Sequence, residues 1–104
     1  MAEWVRVASV ADCPPDHSIE VVAEGKVIAL FHVDGQFYAL DGICPHQGGP
    51  LGKGTISGCV ITCPWHGWQF DVTNGIHQIN ENIAQPSYTV RLEEGSVFVR
   101  FGEE

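Results

Sequence analysis

Val27-Ile28-Ala29-Leu30-Phe31-His32-Val33-Asp34-Gly35-Gln36-Phe37-Tyr38-Ala39-Leu40 is a pair of apolar runs separated at an Asp-Gly step. In an extended chain successive side chains point to opposite faces, so Val27, Ala29, Phe31 and Val33 share one face and Ile28, Leu30 and His32 the other. An X–Gly dipeptide between two such runs is the short-range signal of a hairpin turn. The same punctuation recurs at Glu24-Gly25, Asn74-Gly75 and Glu94-Gly95, each between stretches of strand-like composition. Near the end, Tyr88, Val90 and Leu92 alternate with Thr89, Arg91 and Glu93, and Val97, Val99 and Phe101 alternate with Phe98 and Arg100. No window carries a long apolar stripe of helical period. The pattern predicts half-buried antiparallel strands in an all-β fold, an antiparallel β-sandwich or barrel built from about two or three small sheets.

A chain of 104 residues fits one domain spanning 1–104. With 44% hydrophobic and 17% charged residues the composition excludes a disordered chain. The polar stretch after Met1 has no apolar signal core, and the longest apolar runs, such as Val27–Phe31, are too short to span a bilayer. A cytoplasmic protein without a membrane partner is the expectation. The formal charge is −8, from 13 acidic against 5 basic residues, which argues against a nucleic-acid partner because phosphate binding needs a basic face. The acidity serves either solubility or docking to a basic protein partner.

Residues 41–53 break the strand pattern. They are rich in Gly and Pro and contain Cys44-Pro45-His46-Gln47-Gly48-Gly49-Pro50. A short strand at about Cys59–Thr62 leads to a second such loop, Cys63-Pro64-Trp65-His66-Gly67-Trp68. Two loops flanking a short hairpin predict a small lobe, about residues 42–71, at one end of the β core, and loops on a rigid scaffold are where chemistry concentrates. Each loop supplies one thiol and one imidazole, spaced C-x-H and C-x-x-H. Pro45 and Pro64 hold the cysteines before them in extended conformations, while Gly48, Gly49 and Gly67 let the backbone fold tightly.

Ordinary buried thiols and satisfied histidines would not explain four donors in two mirrored loops. A zinc-stabilised binding module uses the same donor types, but zinc knuckles usually pair two cysteines on one loop. A two-iron cluster accounts for the mixture, since each loop can then reach across both metals.

Cys44-Pro45-His46, Cys63-Pro64-Trp65-His66 and the following Gly67-Trp68-Gln69-Phe70-Asp71 resemble Rieske iron–sulfur proteins, in particular the small ferredoxins of bacterial ring-hydroxylating oxygenase systems. The resemblance is strong over roughly residues 27–76. It implies a β-sandwich with a cluster-binding lobe holding one [2Fe–2S] cluster. Cys44 and Cys63 would bind one iron, His46 and His66 the other. It also implies a one-electron carrier, not an enzyme, passing electrons from a flavin- and nicotinamide-linked reductase to a terminal oxygenase. The alternatives are the Rieske domain of an oxygenase, which needs a further mononuclear-iron site, and the small electron-transfer subunit of an assimilatory nitrite reductase. The extra cysteines that bridge the two loops in respiratory Rieske proteins are replaced here by Gly49 and Trp65, and the hydroxyl-bearing residues near their second loop by Trp68 and Phe70. The resemblance also implies a third, proline-containing loop over the cluster, for which the candidate segment is 77–86. Cys13 and Cys59 are expected to be reduced non-ligands, and His17, His32 and His77 surface or strand-face residues.

Overall fold

The computed structural model describes residues 3–43, 50–65 and 67–101. Among them the first strands are β1 (Glu3–Ser9), β2 (His17–Ala23), β3 (Lys26–Val33) and β4 (Gln36–Asp41). Short strands β5 (Thr55–Ser57), β6 (Val60–Thr62) and β7 (Gln69–Asp71) follow, then β8 (Ser87–Tyr88), β9 (Val90–Glu93) and β10 (Ser96–Phe101). All pairings are antiparallel and make three sheets, ordered β1-β10-β9, β2-β3-β4-β8 and β5-β6-β7. The helical turns, Val10–Asp12 and Leu51–Lys53, are single 3-10 turns. No helix is long and apolar enough to cross a membrane among the described residues.

Three of the four X–Gly steps close hairpins as expected. Glu24, Asp34 and Glu94 take φ of 53°, 53° and 51°, and the glycine after each lies near 80°. That left-handed pair matches the twist of the flanking strands and fixes the registers Ala23↔Lys26, Val33↔Gln36 and Glu93↔Ser96. Asn74-Gly75 differs. There the turn is longer, with Gly75 N–H bonded to Asp71 O at 2.7 Å and Asp71 N–H to Ile76 O at 2.9 Å. Asp71 Oδ1 accepts from the Thr73 amide and hydroxyl, so side-chain bonds stabilise the wider turn.

Strand β3 also departs from the half-buried expectation. Ile28, Ala29, Leu30 and Phe31 are all fully buried. Ile28 and Leu30 face a core shared with Phe37 and Ala39 of β4, with Cys13, and with Ala8, Val97 and Val99 of the β1-β10-β9 sheet. Ala29, Phe31 and Val33 face a second core with Leu51, Ile61, Cys63, Phe70 and Val72. The short-stranded lobe therefore covers one face of the four-stranded sheet, while the other sheet covers the opposite face. The alternating run from Tyr88 to Glu93 is likewise divided: Tyr88 pairs with Ala39 of β4, whereas Val90 pairs with Val99 of β10, so the chain changes sheets at Thr89.

Cys13 follows the first 3-10 turn and is fully buried between the two larger sheets. Its thiol faces the His17 and Leu30 carbonyls at 3.4 and 3.8 Å. His32 behaves as a strand-face residue, stacked on Phe37 at 4.1 Å with Nδ1–H donating to Cys13 O at 2.8 Å. His17 is exposed.

Burial disfavours the thiolate and pushes the Cys13 thiol up to about 11 from 9.0. The native state thus holds this proton more tightly than the unfolded chain, and the resulting stability is complete below pH 9 and lost as pH rises through 9 toward 11. The melting temperature of wild type should therefore fall more between pH 8.5 and 10.5 than that of Cys13→Ala. Equal falls would show that Cys13 does not carry the linkage.

Candidate metal centre

Each predicted loop springs from a closed backbone neck. At the first, Gly42 N–H bonds to Val27 O at 2.8 Å, tying the strand exit to β3, and Leu51 N–H bonds back to Gly42 O at 2.9 Å. Ile43 and Pro50 face each other as a β-bridge. The segment between them carries Cys44, Pro45, His46, Gly48 and Gly49, which lie outside the described residues, as does His66 of the second loop. The second neck is the end of the β6-β7 hairpin. Thr62 pairs with Gln69, Gln69 Nε2 donates to Thr62 Oγ1 at 3.1 Å, and Cys63 N–H bonds to Trp68 O at 2.7 Å. Gly67 turns this loop with φ of 72°. Leu51 of the first neck shares a core with Ile61 and Cys63, and beyond the 3-10 turn a Cβ at Gly54 would collide with the Thr62 carbonyl, just before Cys63.

Of the four predicted ligands, Cys63 is thus the one among the described residues. Its side chain is 1% exposed, forms no disulfide, and sits against Ile61, Phe70 and the β3 side chains. Trp65 is about half exposed beyond it. Cys59 is free, half-buried and packed on the same core. Cys13 belongs to the other core, on the far face of β3.

The candidate third segment is 77–86. After the wide turn at Gly75, Gln78 N–H bonds to Gln69 O at 2.9 Å and Phe70 bridges His77. His77 N–H bonds to Ile83 O at 2.9 Å, which closes a loop whose apex is Ile79–Asn82. Ile79 is 89% exposed there. The returning chain is locked by Gln85, 3% exposed, whose Nε2 donates to the carbonyls of Asp41 and Ile43 at 2.6 and 2.5 Å. One buried amide thereby fixes the third segment to the neck of the first loop.

His77 corrects its expected placement as a surface or strand-face residue. It is only 8% exposed and meets both Trp68 and Phe70 edge-on, with centroids 4.8 and 5.3 Å away. The bridge to β7 turns its ring into the lobe. Its Nδ1 accepts the amides of Ile79 and Asn80, both at 3.1 Å, which leaves the ring proton on Nε2. Nε2 is buried without a hydrogen-bond partner among the described residues. A hollow of about 350 Å³ lies alongside, lined by Gly67, Trp68, His77, Ile79, Asn80 and Ile83. Neither His77 nor Gln85 stands in a sequence motif. Their only signal is polarity within a segment that packs against both loops.

The Rieske [2Fe-2S] domain model matches residues 3–89. The chain belongs to the Rieske [2Fe-2S] family. It is 31% identical over 100 residues to the ferredoxin component of a naphthalene 1,2-dioxygenase system from Pseudomonas aeruginosa, covering 93% of this chain and 94% of that protein. It is 36% identical over 100 residues to the ferredoxin component of the alkene monooxygenase system of Xanthobacter autotrophicus, covering 93% and 80%. Among solved structures, a chain from a complex of reduced oxygenase and oxidised ferredoxin in carbazole 1,9a-dioxygenase superposes with a TM-score of 0.86 at 31% identity, covering 97% of this chain and 95% of that one.

The described residues fit the [2Fe–2S] cluster that names the Rieske family. Cys63 offers a reduced thiol in a water-excluded position, and soft thiolate is the donor that iron–sulfur centres use. The buried Nε2–H of His77, without a partner among the described residues, leaves a polar donor free in the same lobe. Replacing Gln85 by Leu would strip the Asp41 and Ile43 carbonyls of their donor. We expect a loss of about 2 kcal/mol, read as a melting temperature lower by roughly 10 °C. A drop below about 3 °C would show that the amide is dispensable.

Proposed function

We propose that this Rieske protein is the ferredoxin component of an oxygenase system: a cytoplasmic one-electron carrier, not itself a catalyst, that takes electrons from a flavin- and nicotinamide-linked reductase and delivers them to a terminal oxygenase. In this proposal the chain works as a single domain. Cys44 and Cys63 hold one iron of the cluster, and His46 and His66 hold the other. The observation that carries the proposal is the C-x-H and C-x-x-H loop pair, each set on a closed backbone neck, in a chain that matches ferredoxin components over almost its full length.

With four protein ligands the cluster offers transfer of one electron and no open position for substrate. The chain's own residues supply the rest. Leu51, Ile61, Phe70 and Val72 exclude water behind Cys63. The necks fix the points at which the two loops leave the β core. Trp65, half exposed on the second loop, gives a partner protein an apolar contact, and aromatic side chains are favoured at such contacts.

Iron and sulfide analysis tests the ligand set. The purified protein should hold two irons and two acid-labile sulfides per chain, as the cluster formula requires. Cys63→Ser and His46→Ala should lose most of the cluster, while Cys13→Ser and Cys59→Ser should retain it. One zinc per chain and no sulfide, from cells supplied with iron, would overturn the proposal.

The reduction potential follows from donors near the second loop. Hydrogen bonds to cluster sulfurs stabilise the reduced, more negative state and raise the potential. Phe70 is fully buried against Trp68 and His77, and neither Phe70 nor Trp68 carries a hydroxyl. We expect a value at the low end of the Rieske range, roughly −150 mV, by protein-film voltammetry at pH 7. Phe70→Tyr should raise it. A wild-type value above about +100 mV would contradict the missing-hydroxyl argument.

A further inference from the structure

The loop that follows β7 runs His77-Gln78-Ile79-Asn80-Glu81-Asn82-Ile83. What orders it is hydrogen bonding. Ile83 N–H bonds to Asn80 O at 3.0 Å, Asn82 N–H to Asn80 Oδ1 at 3.0 Å, and His77 N–H to Ile83 O at 2.9 Å. Those bonds close the far limb of the loop. The near limb, where the chain leaves β7, has two amides in succession, Ile79 and Asn80, and both donate to the same atom, His77 Nδ1, at 3.1 Å.

One ring nitrogen thus does for this loop what a side-chain oxygen does at a helix start or an Asx turn: it gathers orphan amides into a fixed turn. The ring is itself held. It is buried, braced edge-on by Trp68 of the second loop and by Phe70 of β7. The loop's position is therefore referred to the second cluster loop through an imidazole, and Ile79 stands out at its apex in solvent.

We propose that His77 is a positioning residue, a clasp that holds loop 78–83 against the second cluster loop and so limits solvent and small-solute access to the cluster. The access clause rests on the cluster assignment above; the clasp itself does not. No side chain without an acceptor at this position can replace it. Asn can, because its Oδ1 falls close to the place of Nδ1, whereas Gln carries its oxygen one bond further out.

Two measurements on the full-length protein, in wild type, His77→Leu, His77→Gln and His77→Asn, test this. Hydrogen exchange followed by mass spectrometry reads the amides of Ile79 and Asn80. Exchange should be about tenfold or more faster in His77→Leu and His77→Gln, and within about threefold of wild type in His77→Asn. Loss of the visible absorption in air should follow the same order, several-fold faster in the Leu and Gln variants and rescued in Asn. Equal protection in wild type and His77→Leu would overturn the clasp, and so would exchange in His77→Asn as fast as in His77→Gln. If His77→Leu does not fold, the Gln and Asn pair carries the comparison alone. A protein without iron and sulfide that still shows the exchange pattern would overturn the cluster reading and leave the clasp standing. Normal cluster content and bleaching that ignores the variants would overturn the access role.

Discussion

Burial of β3 on both faces is the constraint from which the rest of this molecule follows. A strand whose Ile28 and Leu30 point into one core and whose Ala29 and Phe31 point into another needs a layer on each side. The β1-β10-β9 sheet is one layer. The other is the lobe, whose strands β5, β6 and β7 have only three residues each. Strands so short cannot bury enough apolar surface to be stable alone. They are ordered because Ile61, Phe70 and Val72 share their core with Phe31 and Val33. The candidate metal centre therefore does not hang from the sandwich by loops. Its floor is the sandwich itself, which is why Cys63 can be both at the root of a loop and fully buried.

The same constraint explains what could be read in advance. The Asp34-Gly35 and Glu24-Gly25 turns were legible because positive φ at both central positions is a local requirement that two residues satisfy by themselves. Asn74-Gly75 misled because Asp71 and Thr73 offer a competing set of side-chain bonds that widen the turn. Alternation in β3 gave the two faces correctly but not their burial, since nothing within an alternating run of apolar residues tells whether a second layer will cover the outer one. The change of sheets at Thr89 was invisible for a related reason: the alternation continues smoothly across it, while the pairing partner changes from β4 to β10.

At the proposed centre, the mirrored Cys and His spacings stand out in the sequence because coordination would demand several donors close together, and of the four only Cys63 lies among the described residues. The supporting polar residues do not stand out. Gln85 reaches Asp41, 44 positions earlier, and Ile43, 42 positions earlier. His77 acts on amides only two and three residues on, yet its role depends on being buried against Trp68 and Phe70. Tertiary contact gives such residues their meaning, and a lone Gln or His in a sequence has many ordinary explanations.

The fully buried cysteines on the two faces of β3 show why spacing outranks burial as a guide to ligands. A thiol must lose its proton to bind metal, and burial opposes that unless a cation compensates. Cys13 donates to two carbonyl oxygens, and burial keeps its proton in place. Cys63 is as deeply buried but lies at the root of the C-x-x-H loop, with its amide committed to Trp68. It shares a core with Leu51 of the neck that carries the C-x-H motif. Iron brought by that set would supply the charge that makes a buried thiolate affordable. Burial alone therefore produces an inert thiol on one face of β3, and burial joined to a second donor-bearing loop produces a candidate ligand on the other.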